Sequence, residues 1–135
     1  MRKKLSEHFA LSEFIAESER ELFKSHNLYP LWEARLRVLA HELEVIRTHI
    51  GGPIIVTSGW RSPVRNKAVG GSRTSGHMTG WAADFQRPGW DARRLFDLVK
   101  SLGKRGLVTY DQLIGYPAHV HLSVDARSRM EAWTV

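Results

Sequence analysis

PLWEARLRVLAHELEVIRTHIGGPIIVT, residues 30–57, contains the change of hydrophobic period on which the fold turns. Trp32, Leu36, Leu39, Leu43, Ile46 and Ile50 recur at alternating spacings of four and three. That is the apolar stripe of an amphipathic helix. Pro30 suits its first turn, and Gly51-Gly52 stops it. Pro53 then opens Ile54-Ile55-Val56-Thr57, an apolar and β-branched run that reads as a buried strand.

Towards the N-terminus, residues 9 to about 26 read as another helix, starting near Ser12, with the charged run from Glu17 to Glu21 on an exposed face. Towards the C-terminus, residues 58–80 are rich in Gly, Ser, Arg and Asn and read as one long loop. Loops of that length in small domains are usually functional or disordered. Residues 81–85 read as a second strand. Residues 91–102 read as a helix capped by Asp91, with Leu95, Leu98, Val99 and Leu102 inward and Gly103 at its end. Residues 112–116 and 119–124 form two more strands, with Pro117 in the turn between them. This order predicts a single α+β domain over 1–135, a small and mainly antiparallel sheet packed with helices.

Composition narrows the function. The 135 residues are 42% hydrophobic and 25% charged, an ordinary globular balance. There is no cysteine, so disulfides and thiolate metal sites are excluded, and any metal must be held by His, Asp or Glu. Lys and Arg total 20 against 14 Asp and Glu, a net charge of +6 that attracts polyanions. The basic residues are spread along the chain without a run of five, so no nucleic-acid partner is expected. The start, Met-Arg-Lys-Lys-Leu-Ser-Glu-His, leads into no apolar h-region, and no stretch is long and apolar enough to span a membrane. The expectation is a cytoplasmically made monomer without a signal peptide.

The candidate chemistry lies in Ser75-Gly76-His77-Met78-Thr79-Gly80-Trp81-Ala82-Ala83-Asp84 and in His119-Val120-His121. A tight turn at Gly80 would fold His77 and Asp84 onto one point. His119 and His121 share a strand face, roughly 6.6 Å apart. One can be a ligand while the other reaches a group bound to the metal. Spacing alone leaves two readings open: a metal set, or polar residues satisfied at a surface. His8, His26, His41 and His49 lie on segments read as helical, without partners, and read as structural or solvated.

The pattern Ser-x-His-x-x-Gly-x-Ala-x-Asp at 75–84, followed by His-x-His at 119–121, resembles the zinc D-alanyl-D-alanine carboxypeptidase family, which includes D-alanyl-D-alanine dipeptidases and phage endolysins. Ser58-Gly59-Trp60-Arg61-Ser62-Pro63, Asn66 and Val69-Gly70-Gly71 are similar to the segment before the first ligand. Leu5-Ser6-Glu7-His8-Phe9 and Leu11-Ser12-Glu13-Phe14 resemble the N-terminal segment of small phage members.

The resemblance implies a Zn2+ site at the sheet, held by His77, Asp84 and His121. It also implies an acidified water as nucleophile and Arg61 as a substrate contact or oxyanion stabiliser. Ser75 either donates to substrate or shapes the loop, while Asn66 and Gly70-Gly71 fix the loop. Relatives often carry a carboxylate three residues before the last histidine, and here that position is Ala118. His119 is then the first candidate for general base, since imidazoles titrate near neutral pH. Asp111, folding back toward the metal, is the second, and weak or lost activity is the third possibility.

The implied function is hydrolysis of peptidoglycan stem peptides. The activity is that of a D-alanyl-D-alanine carboxypeptidase or an L-alanyl-D-glutamate endopeptidase, in an endolysin-like protein that reaches the wall by holin-type release or as a phage component. Anionic wall polymers are expected partners. The alternative is a non-catalytic, zinc-containing wall-peptide binder or virion part of the same fold.

Overall fold

A computed structural model describes residues 3–135; Met1 and Arg2, part of the basic start, lie outside them. The long helix falls where its stripe requires. α2, Tyr29–Ile50, buries Trp32, Leu36, Leu39, Leu43 and Ile46, with Pro30 in its first turn and Gly51 after its end. It follows a short α1, Arg20–Ser25.

The N-terminal stretch is not the continuous helix expected from its pattern. It is broken into 3-10 turns at Leu11–Phe14 and Glu17–Glu19, followed by α1. The break is at Ile15, which is extended and forms an isolated parallel bridge with Trp60. The Phe14 carbonyl accepts the Trp60 N–H at 2.7 Å. This approach needs Gly59, because a Cβ there would lie 2.2 Å from the Phe14 oxygen. A tertiary contact thus overrides helix propensity. Nor is the charged run wholly exposed: Glu19 is buried, and its carboxylate accepts the Ser62 N–H at 3.0 Å.

The sheet has the strand order β1-β2-β4-β3-β5. The strands are β1, Ile55–Ser58; β2, Ala82–Gln86; β3, Gln112–Gly115; β4, Val120–Ser123; and β5, Glu131–Thr134. β1, β2, β4 and β3 pair antiparallel, and β5 adds in parallel to β3, so the expected α+β class with a mainly antiparallel sheet holds. β5 has no counterpart in the sequence reading. β1 is an edge strand with a register irregularity between Val56 and Ser58, so Ile54 is buried while Ile55 is half exposed, contrary to a wholly buried run.

Residues 58–80 are also more structured than a loop. α3, Pro63–Ala68, is capped by the Ser62 hydroxyl, which accepts the Arg65 N–H, and a 3-10 turn spans Gly76–Thr79. α4, Ala92–Lys104, is capped by Asp91 and continues through the buried Gly103.

Strand alternation separates the two faces of the sheet. Ala83, Phe85, Leu113, Val120 and Leu122 are fully buried in the core that also contains the apolar faces of α2 and α4. The opposite face presents the cross-strand row Ser58, Asp84, His121 and Ile114. Period two therefore puts the carboxylate and the imidazole side by side, away from the core.

Candidate metal centre and cleft

His77 reaches this face from the Gly76–Thr79 turn. The Ser75 hydroxyl accepts the His77 N–H at 3.2 Å and so caps the turn. Gly80 closes it in the left-handed region at φ 82°, where an added Cβ would sit 2.9 Å from the Trp32 carbonyl of α2. The turn is thus wedged against the long helix, and Arg35 donates to the Thr79 carbonyl at 3.0 Å. The Arg61 N–H donates to the His77 carbonyl at 3.0 Å, tying the two halves of the polar segment together.

Three donor atoms converge. His77 Nε2 lies 3.2 Å from Asp84 Oδ1 and 3.3 Å from His121 Nδ1, and His121 Nδ1 lies 2.9 Å from the same oxygen. Ligands bound to a tetrahedral zinc at about 2.0–2.1 Å stand about 3.3 Å from one another, so this triangle is close to one face of a zinc tetrahedron. His77 Nδ1 meets the Gly59 carbonyl at 2.7 Å. A proton on Nδ1 leaves the Nε2 lone pair free for a metal, the usual outer support of a ligating histidine. The donor set of two nitrogens and one carboxylate oxygen, without sulfur, suits zinc. His77, Asp84 and His121 therefore fit a zinc ion and form a group able to hold one.

Burial pushes the Asp84 carboxyl toward the neutral form. The hydrogen bonds and charges of His121 and His77 outweigh it and hold the group well below the ordinary carboxylate range. Arg61 Nη2 also meets Asp84 Oδ2 at 3.3 Å. The guanidinium is mostly buried, donating from Nε to Ser58 Oγ at 3.0 Å and from Nη1 to Asn66 Oδ1 at 3.1 Å. Burial lowers its pKa, partly opposed by Asp84. Asn66 in turn donates to the Ser72 carbonyl at 2.8 Å. Arg61 is thereby placed as the outer support of Asp84 as well as a wall of the cleft.

The cluster opens into a cleft of about 700 Å³ that Arg61, Arg65, Ser75, Ile114, Tyr116 and His119 help to line. His119 Nε2 lies 3.6 Å from Asp84 Oδ2, and the His119 ring stacks on Tyr116 with centroids 4.7 Å apart. Tyr116 carried no signal beyond its place next to the Pro117 turn.

Asp111 does not fold back toward the metal group. It precedes β3 on the opposite alternation from Gln112 and Ile114, its side chain is fully buried, and Arg129 holds it from Nε at 2.8 Å and Nη2 at 2.9 Å. Two parallel charge-assisted bonds fix a carboxylate there, and the Arg129 hydrogen bonds depress its pKa despite burial. His8, for its part, is not helical and pairs with Glu44 at 2.8 Å.

A three-donor metal group with an open side, set in a polar cleft, is the arrangement of a metal-dependent hydrolase. The family model for Peptidase M15 matches residues 7–123, and the chain belongs to that family. It is accordingly a zinc metallopeptidase by family, with a peptide as its substrate. A comparison with curated proteins finds no match. Among the described residues, no helix is long and apolar enough to cross a membrane.

Proposed function

We propose that this chain hydrolyses an amide bond in the stem peptides of peptidoglycan, as a D-alanyl-D-alanine carboxypeptidase or an L-alanyl-D-glutamate endopeptidase. The observation that carries the reading is the placement of His119 in the same cleft as the three donors, its Nε2 3.6 Å from Asp84 Oδ2. His77, Asp84 and His121 would hold zinc, which when bound would acidify a water and polarise the scissile carbonyl. His119 takes the proton released by the attacking water at Nε2 and returns it to the leaving amine. Tyr116 holds the His119 ring in place. Arg61 donates to Asp84 Oδ2 and so helps to orient it, and its remaining N–H bonds serve a substrate carboxylate or the developing oxyanion. Ser75 shapes the turn that presents His77. The monomer acts at the wall as a phage-type lysin, its net charge of +6 favouring adsorption to anionic wall polymers.

Digestion of purified bacterial walls by the zinc-loaded protein, followed by mass analysis of the fragments, tests the reading. Free D-alanine marks the carboxypeptidase, and stem peptides freed at L-alanine mark the endopeptidase. His119→Ala keeps its zinc and loses about 100-fold or more in rate, the usual contribution of a positioned general base. Unchanged walls with zinc bound would move the protein to the second reading, a non-catalytic wall-peptide binder. The absence of a carboxylate at Ala118 and the turned-away Asp111 favour that reading.

A further inference from the structure

Residues 58–80, which build α3 and the His77 turn, hold four cations, Arg61, Arg65, Lys67 and Arg73, and no carboxylate. Arg61 and Arg65 both line the cleft. Asp84, itself a member of the metal group, is the one carboxylate among the described lining residues. Each nitrogen of the Arg61 guanidinium already has a partner in Ser58, Asn66 or Asp84. Arg65 differs. Its N–H donates to Ser62 Oγ at 3.1 Å and its carbonyl accepts the Val69 N–H at 3.0 Å, so α3 fixes its backbone. Its exposed side chain has no hydrogen bond or ion pair among the described residues. Arg65 also borders a second hollow lined by Glu13 and Glu17. It pairs with neither there, and Glu13 is taken by the Ala10 N–H at 2.7 Å. The cleft thus sets two guanidinium groups against one carboxylate, and the charge of Arg65 adds to the burial that lowers the Arg61 pKa. An anion drawn into the cleft balances the surplus.

We propose that Arg65 determines specificity by taking a carboxylate on the carbon bonded to the scissile nitrogen, so that the chain cuts amide bonds whose leaving amine carries that group. This rests on the peptidoglycan reading above and deepens it. The two bonds named there share this chemistry. In D-alanyl-D-alanine the leaving residue ends in its α-carboxylate. In the stem peptide D-glutamate continues through its γ-carboxyl, so the α-carboxylate of the residue after L-alanine is likewise free. Either carboxyl carbon is three bonds from the scissile carbonyl carbon, at most about 4.3 Å. A carbonyl held at the metal group therefore keeps the carboxylate inside the cleft. Arg65 offers it two parallel charge-assisted bonds from an unoccupied fork, which leaves the remaining N–H groups of Arg61 to the oxyanion. The subsite serves either bond and does not choose between them. What it rejects is a leaving residue whose carboxyl is capped.

The test uses zinc-loaded full-length protein and two pairs of synthetic stem peptides. One pair ends in D-alanyl-D-alanine with its terminus free or amidated. The other has the D-glutamate α-carboxyl after L-alanine free or amidated. On whichever pair is cut, the expected kcat/KM is about 10–100-fold higher for the free carboxylate, the scale of a hydrogen bond between charged groups. Arg65→Gln brings that ratio to within about threefold of one, through KM more than kcat. Arg65→Lys, which keeps the charge without the fork, retains part of it. Arg73→Gln removes the same charge from the same segment outside the cleft lining, and it keeps the wild-type ratio. Zinc content and thermal midpoint confirm that each variant is folded. Equal rates on the free and amidated forms overturn the subsite and leave the peptidase reading intact. So does a preference that survives Arg65→Gln, or one that falls equally in Arg73→Gln. If neither pair is cut, the peptidase reading falls and the subsite with it.

Discussion

Asp84 and Asp111 make an instructive pair. Both are buried aspartates, Asp84 in β2 and Asp111 just before β3, both pair with arginine, and both have carboxyls held below the ordinary range. Yet they do different things. Asp111 accepts three bonds from Arg129, one from its backbone and two from its guanidinium, and Arg127 stands at 3.3 Å. Its acceptor sites are occupied by fixed cations, and the result is a clamp on the segment leading into β5. Asp84 meets one guanidinium on Oδ2, and its Oδ1 faces two imidazole nitrogens. Imidazole nitrogens can present lone pairs, which guanidinium nitrogens cannot, so Oδ1 and the rings together offer a metal three donors. What separates a ligand from a structural carboxylate is the chemistry of its neighbours, since burial and depressed pKa are common to both.

The largest expected effect comes from exchanging the insults. Asp84→Ala removes zinc binding and peptidase activity together, read by metal content after dialysis. Asp111→Ala keeps its zinc and instead lowers the thermal midpoint, by about 3–10 °C for a typical destabilising substitution in a domain of this size. Zinc at 100 times its Kd stabilises the wild type by about 2.7 kcal/mol. Asp111→Ala should show the same zinc-dependent rise from a lower baseline, and Asp84→Ala none. Loss of zinc from Asp111→Ala would erase the distinction between the two sites.

Arg61 sharpens the same comparison at smaller amplitude. Arg61→Met keeps much of the side chain's length and removes the cation beside Asp84. Outer-shell partners typically contribute about 10–100-fold to metal affinity, so zinc binding should weaken by that factor while the fold persists. Competition with a chelator of known affinity measures it. An unchanged affinity would mean that the two imidazoles alone hold Asp84 in place.

Much of this arrangement was legible in the residues. α2 was readable because six apolar positions keep one helical stripe, and β2 and β4 because their alternation puts polar ligands opposite apolar core residues. The cluster stood out because histidines and a carboxylate flank a glycine turn. The N-terminal segment misled because a run of glutamates looks solvated, and nothing local announces that Glu19 will accept the Ser62 N–H. β5 was silent because Glu131–Thr134 is short and mostly exposed, so its pattern has no buried half. Asp111 was ambiguous for a related reason: its partner lies 18 residues on, at Arg129, among many arginines of equal promise.

The smallest effect is a pH dependence that belongs to Asp111 alone. A carboxyl whose folded pKa lies below its unfolded value, about 3.9, binds fewer protons in the folded state near that pH. It therefore contributes stability that is complete above the unfolded pKa and is lost as pH falls through the folded one. Arg129 is the main cause of the Asp111 shift, with burial opposing it. The advantage of wild type over Asp111→Asn in urea unfolding should be full above about pH 5 and shrink below about pH 4. Its slope should correspond to no more than one proton. Asp84 titrates in the acid range too, but it is present in both proteins and cancels in their difference if the sites do not interact. Adding zinc therefore gives the decisive control. It should steepen the acid sensitivity of each protein through Asp84 and its imidazoles while leaving the Asp111 difference curve where it was. A difference curve that moved with zinc would show the clamp and the metal centre to be one coupled unit.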